Sequence, residues 1–344
     1  MVRPISIAYL ILPVFLSGAP PATSTPLLPQ EDETWRAPLA NRNQFPPAFL
    51  FISLEPERAR VLRKGERSLL FNFDYSNILL LQETKAESLV IDLESLRALL
   101  QGKAGVGGDF EIAASLLIYW MQAGALDPFI SGFHKAFNLP NLFRDRGPNN
   151  LFRYHWRVEG TSVLEREDGF LALGDLTLQL KRAVVWKKLG ATEVAARAAV
   201  KIPTGSRERL VSSGGADLAF GGELSRVGRK IGGFFNINYH ITSDLDEARS
   251  KNFFSLMAAV DWRFKPTVAA VFQYDQFQPF LESEIKVLRQ SARQIIVGLR
   301  WRRSNRFQFE WRFAEDLSTT SPDFTLGFQI LYHWKRRQPA PPAN

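Results

Sequence analysis

Residues 306–313 read Arg-Phe-Gln-Phe-Glu-Trp-Arg-Phe, and residues 324–334 read Phe-Thr-Leu-Gly-Phe-Gln-Ile-Leu-Tyr-His-Trp. Phe307, Phe309, Trp311 and Phe313 alternate with Arg306, Gln308, Glu310 and Arg312. Phe324, Leu326, Phe328, Ile330, Tyr332 and Trp334 repeat the pattern, with Thr325, Gly327, Gln329 and His333 between them and Leu331 as the one exception. A period of two places alternate side chains on opposite faces of a strand. One face is aromatic and the other carries full charges. A soluble sandwich would bury the first and wet the second. A membrane barrel turns the first to lipid and the second to a watery lumen.

Working outward, the same alternation divides most of the 344-residue chain into about twelve segments near the ~10 residues of a tilted membrane strand. They fall at 68–81, 84–95, 107–122, 170–184, 191–202, 214–226, 231–241, 251–264, 267–277, 291–302, 305–315 and 323–334. With both chain ends on the periplasmic side, the later inward turns are short: Arg226–Lys230, Lys265–Pro266 and Arg303–Ser304. The outward connections 123–169, 203–213, 242–250, 278–290 and 316–322 are longer, and only a tight outward turn near 82–83 breaks the trend. Short periplasmic turns and long external loops are the asymmetry of an outer-membrane barrel. The expected fold is all-β: a closed antiparallel transmembrane barrel of about twelve strands, with one short amphipathic helix in a long loop.

The ends of the chain fit an exported protein. Arg3, an apolar run from Ile5 to Phe15, and the small residues Ser17, Gly18 and Ala19 read as a signal peptide over 1–19, with an uncleaved anchor as the alternative. Residues 20–67 are a Pro-rich, polar, extended lead-in. The barrel follows over 68–334, and residues 335–344 form a polar Pro-rich tail. No later run approaches the ~20 apolar residues of a spanning helix. The absence of cysteine excludes disulfides, cysteine lipidation and thiolate metal sites. The net charge of +8 comes from Lys and Arg spread along alternating strands, not clustered, which argues against nucleic acid as a partner.

The apolar face includes Leu176, Leu178 and Leu180; Val194, Ala198, Val200 and Ile202; Phe235, Ile237 and Tyr239; and Val260, Trp262 and Phe264. Tyr239, Trp262, Trp301, Tyr332 and Trp334 lie near strand ends, as interfacial girdles require. The opposite face carries the candidate lumen residues Lys181, Arg197, Lys201, Glu223, His240, Asp261, Arg263, Arg300, Arg302, Glu310 and Arg312. With Glu193, Asp217 and Asp275 added, its seven basic residues face six acidic ones. That balance fits cross-strand ion pairs filling the lumen at least as well as a selective pore. Arg300, Arg302 and Arg312 nevertheless cluster on adjacent strands as a candidate anion-attracting patch.

Inside the longest loop, Asp127-Pro128 starts a helix, and Leu126, Phe129, Ile130, Phe133 and Phe137 form one apolar stripe that ends at Asn138 and Pro140. This helix over 125–141, with Phe129, Phe133, His134 and Phe137 as candidate constriction residues, can cap the mouth, fold inward or lie on the membrane. The four histidines (His134, His155, His240 and His333) come with no Gly-x-Ser-x-Gly elbow, no paired metal-ligand spacing and no phosphate loop, so no catalytic residue, metal or cofactor is assigned.

Several segments together resemble an uncharacterised family of bacterial outer-membrane barrel proteins, known only as a domain of unknown function. They are Pro38-Leu39 with Arg42-Asn43-Gln44, Asp74-Tyr75-Ser76-Asn77-Ile78, and Phe129-Ile130-Ser131-Gly132-Phe133-His134 with Leu139-Pro140-Asn141. The others are Leu173-Gly174-Asp175-Leu176, Val200-Lys201-Ile202-Pro203-Thr204-Gly205 and Ser213-Gly214-Gly215-Ala216-Asp217-Leu218. The Lys-Ile-Pro-Thr-Gly and Gly-Asp segments are also similar to those of wider transporter-like barrels. The resemblance implies an outer-membrane barrel of about a dozen strands and brings no substrate. It also implies a final-strand aromatic as assembly signal, here Trp334 followed by a ten-residue tail. The expected partners are outer-membrane lipid, the barrel-assembly machinery and a small solute. The expected function is a passive channel or transporter-like pore. A structural or surface-interaction barrel with a plugged lumen is the alternative, and an outer-membrane lipid hydrolase comes third. A lumen filled by charge pairs would favour the structural reading, and an open one the pore.

Overall fold

The computed structural model describes residues 35–124, 132, 151–184, 191–245, 248–318, 320–322 and 324–334. The helix expected over 125–141, with Phe129, Phe133, His134 and Phe137, lies outside them apart from the exposed Gly132, and so do the signal segment and the tail. Twelve antiparallel strands close into a barrel. In chain order these are β1 (Arg67–Glu83), β2 (Glu87–Gly107), β3 (Phe110–Gln122), β7 (Leu176–Val184), β8 (Glu193–Ile202) and β9 (Asp217–Val227). They continue as β10 (Ile231–Ile241), β11 (Phe253–Lys265), β12 (Val268–Phe277), β13 (Ala292–Arg302), β14 (Phe307–Asp316) and β15 (Phe324–Trp334). The last strand pairs with the first from Arg67 opposite Trp334 to Asn77 opposite Phe324, so the barrel has no open edge. Three short strands sit beside the wall. The β4 (Arg153–Val158) and β5 (Thr161–Arg166) hairpin pairs with β2 at Glu87–Asp92, and β6 (Phe170–Leu173) pairs with the end of β3.

The strictly alternating strands stand within a few residues of their expected bounds, and two regions differ. The second strand runs from 87 to 107, where the sequence suggested an end at 95 and a new strand at 107. Its second half hides because Leu99 and Leu100 are adjacent apolar residues, and Gly102 and Gly105 carry no side chain to mark a face. Leu99 nevertheless points in and Leu100 out. The segment 170–184 is two strands, broken at Gly174-Asp175, where the Gly174 amide donates to the Leu117 carbonyl at 2.8 Å. The turns after β2, β9, β11 and β13 are short and share one rim. The long connections between β8 and β9, β10 and β11, β12 and β13, and β14 and β15, as far as their residues are described, lie at the other. A four-residue helix α1 (Lys286–Arg289) lies in the third of these loops. The tight 84–86 turn has its own explanation. The β1–β2 hairpin overhangs the barrel, and the amides of Glu284 and Val287 donate to Glu87 Oε1 and Gln82 Oε1, each at 3.1 Å.

The outer wall exposes the apolar set: Leu178, Leu180, Phe220, Ile237, Trp262, Phe272, Leu299 and Trp311 are all open to the surroundings. Rings pack at both rims, with Tyr332 tilted against Phe307 (4.7 Å) and edge-on to Trp334 (4.4 Å) at one, and Tyr239 tilted against Phe254 (4.6 Å) at the other. An apolar exterior over a polar interior suits lipid outside and hydrated groups inside. The interior changes character near the long loops. There Leu89, Ile91, Tyr119 and Met121 of the wall join Trp156, Phe253, Phe280, Ile285 and Leu288 in an enclosed apolar cluster that caps the barrel.

Candidate functional site: the occupied lumen

Residues 35–66 follow an extended path through the interior, enter and leave at the short-turn rim, and turn at a five-residue 3-10 segment (Pro46–Leu50) under the apolar cap. At the entry, Trp35 lies under the Arg302 guanidinium at 5.3 Å, and Arg36 Nη2 donates to the Lys230 carbonyl at 3.2 Å. At the exit, Gly65 and Glu66 pair with Gly105 through amide–carbonyl bonds of 3.1 and 3.0 Å. At the turn, Phe49 packs on Tyr119 at 4.5 Å and Phe51 on Phe280 at 5.7 Å, which anchors the loop in the cap.

A buried backbone must have its amides and carbonyls satisfied. Among the described residues, strand-type pairing is confined to the exit at Gly65 and Glu66, so wall side chains supply most of the other partners. On the inbound limb, Gln273 accepts from the Leu39 amide (2.8 Å) and donates to its carbonyl (3.1 Å), while Arg300 Nη2 donates to the Pro38 carbonyl (2.7 Å). On the outbound limb, the Ile52 amide donates to Asp217 (2.9 Å), the Ala59 amide to Ser225 Oγ (2.9 Å) and the Leu62 amide to Glu111 (2.8 Å). Asn236 clamps Glu57 from both sides, at 2.7 and 2.9 Å. Leu39 lies against Gly298, where a Cβ would come within 2.9 Å of its Cδ2, so the wall is shaped to this segment as well as bonded to it.

The charges form linked sets. Arg36 makes a two-pronged pair with Asp261 at 2.7 and 2.6 Å. Asp74, fully buried, accepts from Arg97 Nε (3.0 Å), Asn72 (2.9 Å) and Arg312; Arg312 continues to Glu310 (3.2 Å), and Glu310 to Arg300. Arg97 also holds Glu55 of the luminal segment at 2.6 Å. Lys201 Nζ gathers Asp217 (2.9 Å), Asp175 (3.2 Å), Ser213 Oγ (2.7 Å) and the Leu50 carbonyl (2.6 Å). Three of the segments that carried the family resemblance therefore meet at one ammonium: Gly-Asp-Leu, Lys-Ile-Pro-Thr-Gly and Ser-Gly-Gly-Ala-Asp. Lys181 and Arg197 share Glu223 at 2.7 and 3.0 Å, and both reach Glu57.

The remaining candidates take simpler places. His240 accepts from the Leu54 amide at 3.4 Å and stacks on Phe253 at 4.3 Å. Arg263 is half-buried near the short-turn rim, and Arg302 donates to the Pro266 carbonyl at 3.3 Å besides covering Trp35. Arg300, Arg302 and Arg312 are each engaged as described, and Arg300 and Arg302 also line the cavity at the short-turn rim. The sequence reading did not single out Arg36, Glu55, Glu57, Asp74, Arg97 or Lys103 as lumen groups. Asp74 and Arg97 could have been found by extending the alternation into β1 and β2. Arg36, Glu55 and Glu57 follow no period, and nothing local marks them as buried.

Below the turn, a cavity of about 1190 Å³ opens toward the short-turn rim between the two limbs and the wall. Glu57, Lys103, Lys181, Gln101 and Gln308 line it. Glu57 belongs to the luminal segment, not to a spanning strand. Burial pushes its carboxyl up, but Lys103, Lys181 and Arg197 together hold it well below the usual carboxylate range. Its contribution to holding the segment is therefore complete above its ordinary value of 4.5 and is lost only as pH falls through the lower, folded value. We expect the outbound limb to stay held between neutrality and about pH 5 and to loosen only in stronger acid, read as the hydrogen-exchange protection of its amides. Protection already lost at pH 6 would assign the restraint to another group.

A closed twelve-stranded wall, apolar outside and charged within, defines an outer-membrane β-barrel with a porin-like channel fold. The chain belongs to the family described as "Protein of unknown function (DUF3187)", whose model matches residues 17–334. Among solved structures it is similar to an outer membrane channel from Pseudomonas putida F1, at 11% identity and a TM-score of 0.54, over 82% of this chain and 100% of that one. The KdgM porin (6% identity, TM-score 0.41, 77% and 98% covered) and the CymD monoaromatic hydrocarbon channel (10%, 0.39, 80% and 90%) are more distant barrels. No curated protein matches the chain.

Proposed function

We propose that the protein is a passive channel for a small polar solute across the bacterial outer membrane, closed in this conformation by its own residues 35–66. The observation that carries this reading is how the filler is held. Its two limbs are fixed to the wall by hydrogen bonds and ion pairs, and both ends emerge at the same rim. A loop inserted from one side can withdraw without unthreading, and water entering behind it solvates the charges it leaves. The cavity at the short-turn rim supplies that water and a place for a solute to wait. The short-turn rim is the periplasmic one by the loop asymmetry of such barrels.

The density of buried ion pairs favours a second reading, a structural barrel that never opens. Single-channel recording of the wild-type chain in a planar bilayer separates the two. A channel closed by a mobile loop gives brief openings from a silent baseline, and folded protein that never conducts at any voltage supports the structural barrel.

A further inference from the structure

The Glu57 carboxylate sits in a cradle contributed entirely by the wall. Oε1 receives Lys103 Nζ at 2.7 Å, Gln179 Nε2 at 3.2 Å and Arg197 Nη1 at 3.5 Å, and Oε2 receives Lys181 Nζ at 3.0 Å. These donors come from β2, β7 and β8, so the barrel itself sets their positions. The adjacent wall carboxylates are Glu223, on Lys181 and Arg197, and Glu111, 3.7 Å from Lys103. Three wall cations against two wall carboxylates leave one positive charge, which Glu57 neutralises. With Glu57 withdrawn, the wall holds a singly positive pocket onto which three cations and the Gln179 amide converge, the chemistry that binds one carboxylate group. The pocket borders the cavity that opens to the short-turn rim, so a solute can reach it.

We propose that Lys103, Gln179, Lys181 and Arg197 form a binding site for a carboxylate-bearing solute, and that Glu57 is its tethered occupant in the closed state. The site stands on this geometry alone, while its use in transport rests on the channel reading. A solute carboxylate that competes with Glu57 frees the outbound limb, which links occupancy of the site to release of the loop.

The test is chemical rescue. Glu57→Ala vacates the cradle and leaves room for a short carboxylate. The probe is sodium propionate against propionamide, at ionic strength matched with sodium chloride. Propionate is expected to raise the melting temperature of Glu57→Ala by several degrees in a saturable way, to leave wild type unmoved, and to lose its effect in Glu57→Ala/Lys103→Gln. If Glu57→Ala does not fold in chloride, the readout becomes its refolding yield, which propionate restores and propionamide does not. Equal effects of propionate and propionamide overturn the site. For transport, liposomes carrying a chain without residues 38–60 are expected to admit gluconate faster than glucose, a preference lost on Lys103→Gln. Equal entry of both solutes without rescue removes the site and leaves the channel standing. Rescue without entry of either solute removes the channel, and with it a transported carboxylate.

Discussion

A chain lacking residues 38–60 will fold into the same barrel and conduct steadily, with a mean current on the order of tenfold or more above wild type. The wall does not depend on the deleted segment for its ladder, since every strand pairs with its neighbours from β1 round to β15. Its outer face is solvated by lipid whether or not the lumen is filled. The deletion removes Phe45, Phe49, Leu50 and Phe51 from the apolar cap and so opens a path at the long-loop end. It removes Glu55 and Glu57, which leaves Arg97, Lys103, Lys181 and Arg197 as a local anion-attracting cluster, but it also removes Arg42, Arg58 and Arg60, so the reversal potential is expected to stay within a few millivolts of a weakly selective pore. Conductance and reversal potential across a salt gradient check both parts. A deleted chain that is folded yet silent would place the barrier in the cap and the loops, not in the segment.

The second large effect is on stability. Asp74→Ala will destabilise the barrel by about 3–5 kcal/mol, because Arg97 and Arg312 lose the buried carboxylate between them. Neither guanidinium can reach water without displacing the luminal segment. Asp74→Ala/Arg312→Ala will cost less than the two single changes together, since Glu310 then keeps Arg300 and Arg97 keeps Glu55. Urea unfolding of the folded band in detergent measures both. A cost below about 1 kcal/mol for Asp74→Ala would mean the site is hydrated, as exposed ion pairs are.

How much of this was legible in the sequence varied along the chain for physical reasons. In β13 to β15 most side chains state their face, because lipid demands apolar groups on one side and the lumen is largely polar on the other; Ile296, turned inward into the cluster that holds Leu39, breaks the pattern. Val297, Leu299 and Trp301 point out, while Arg300 and Gln308 point in. In β2 that code fades, since above the membrane the interior itself is apolar and Leu89 and Ile91 point inward. The luminal segment is the extreme case. Its path is set by Gln273, Asn236, Ser225 and Asp217, residues far away in the chain, so its own sequence carries no period and reads as an extended lead-in. The near balance of seven basic and six acidic wall residues was visible, and so was the ion-paired interior it suggested. The additional strand of chain inside the barrel that completes those pairs was not.

If residues 35–66 are the gate, tethering them to the wall holds the channel shut. The chain has no cysteine, so Ala59→Cys with Ser225→Cys introduces a single possible disulfide between the outbound limb and β9, where the Ala59 amide meets Ser225 Oγ at 2.9 Å. One reconstituted channel is then recorded before and after addition of a reductant. Silence is expected while the disulfide is intact, and wild-type openings once it is reduced. Openings that persist unchanged with the disulfide formed would contradict a gate at residues 35–66.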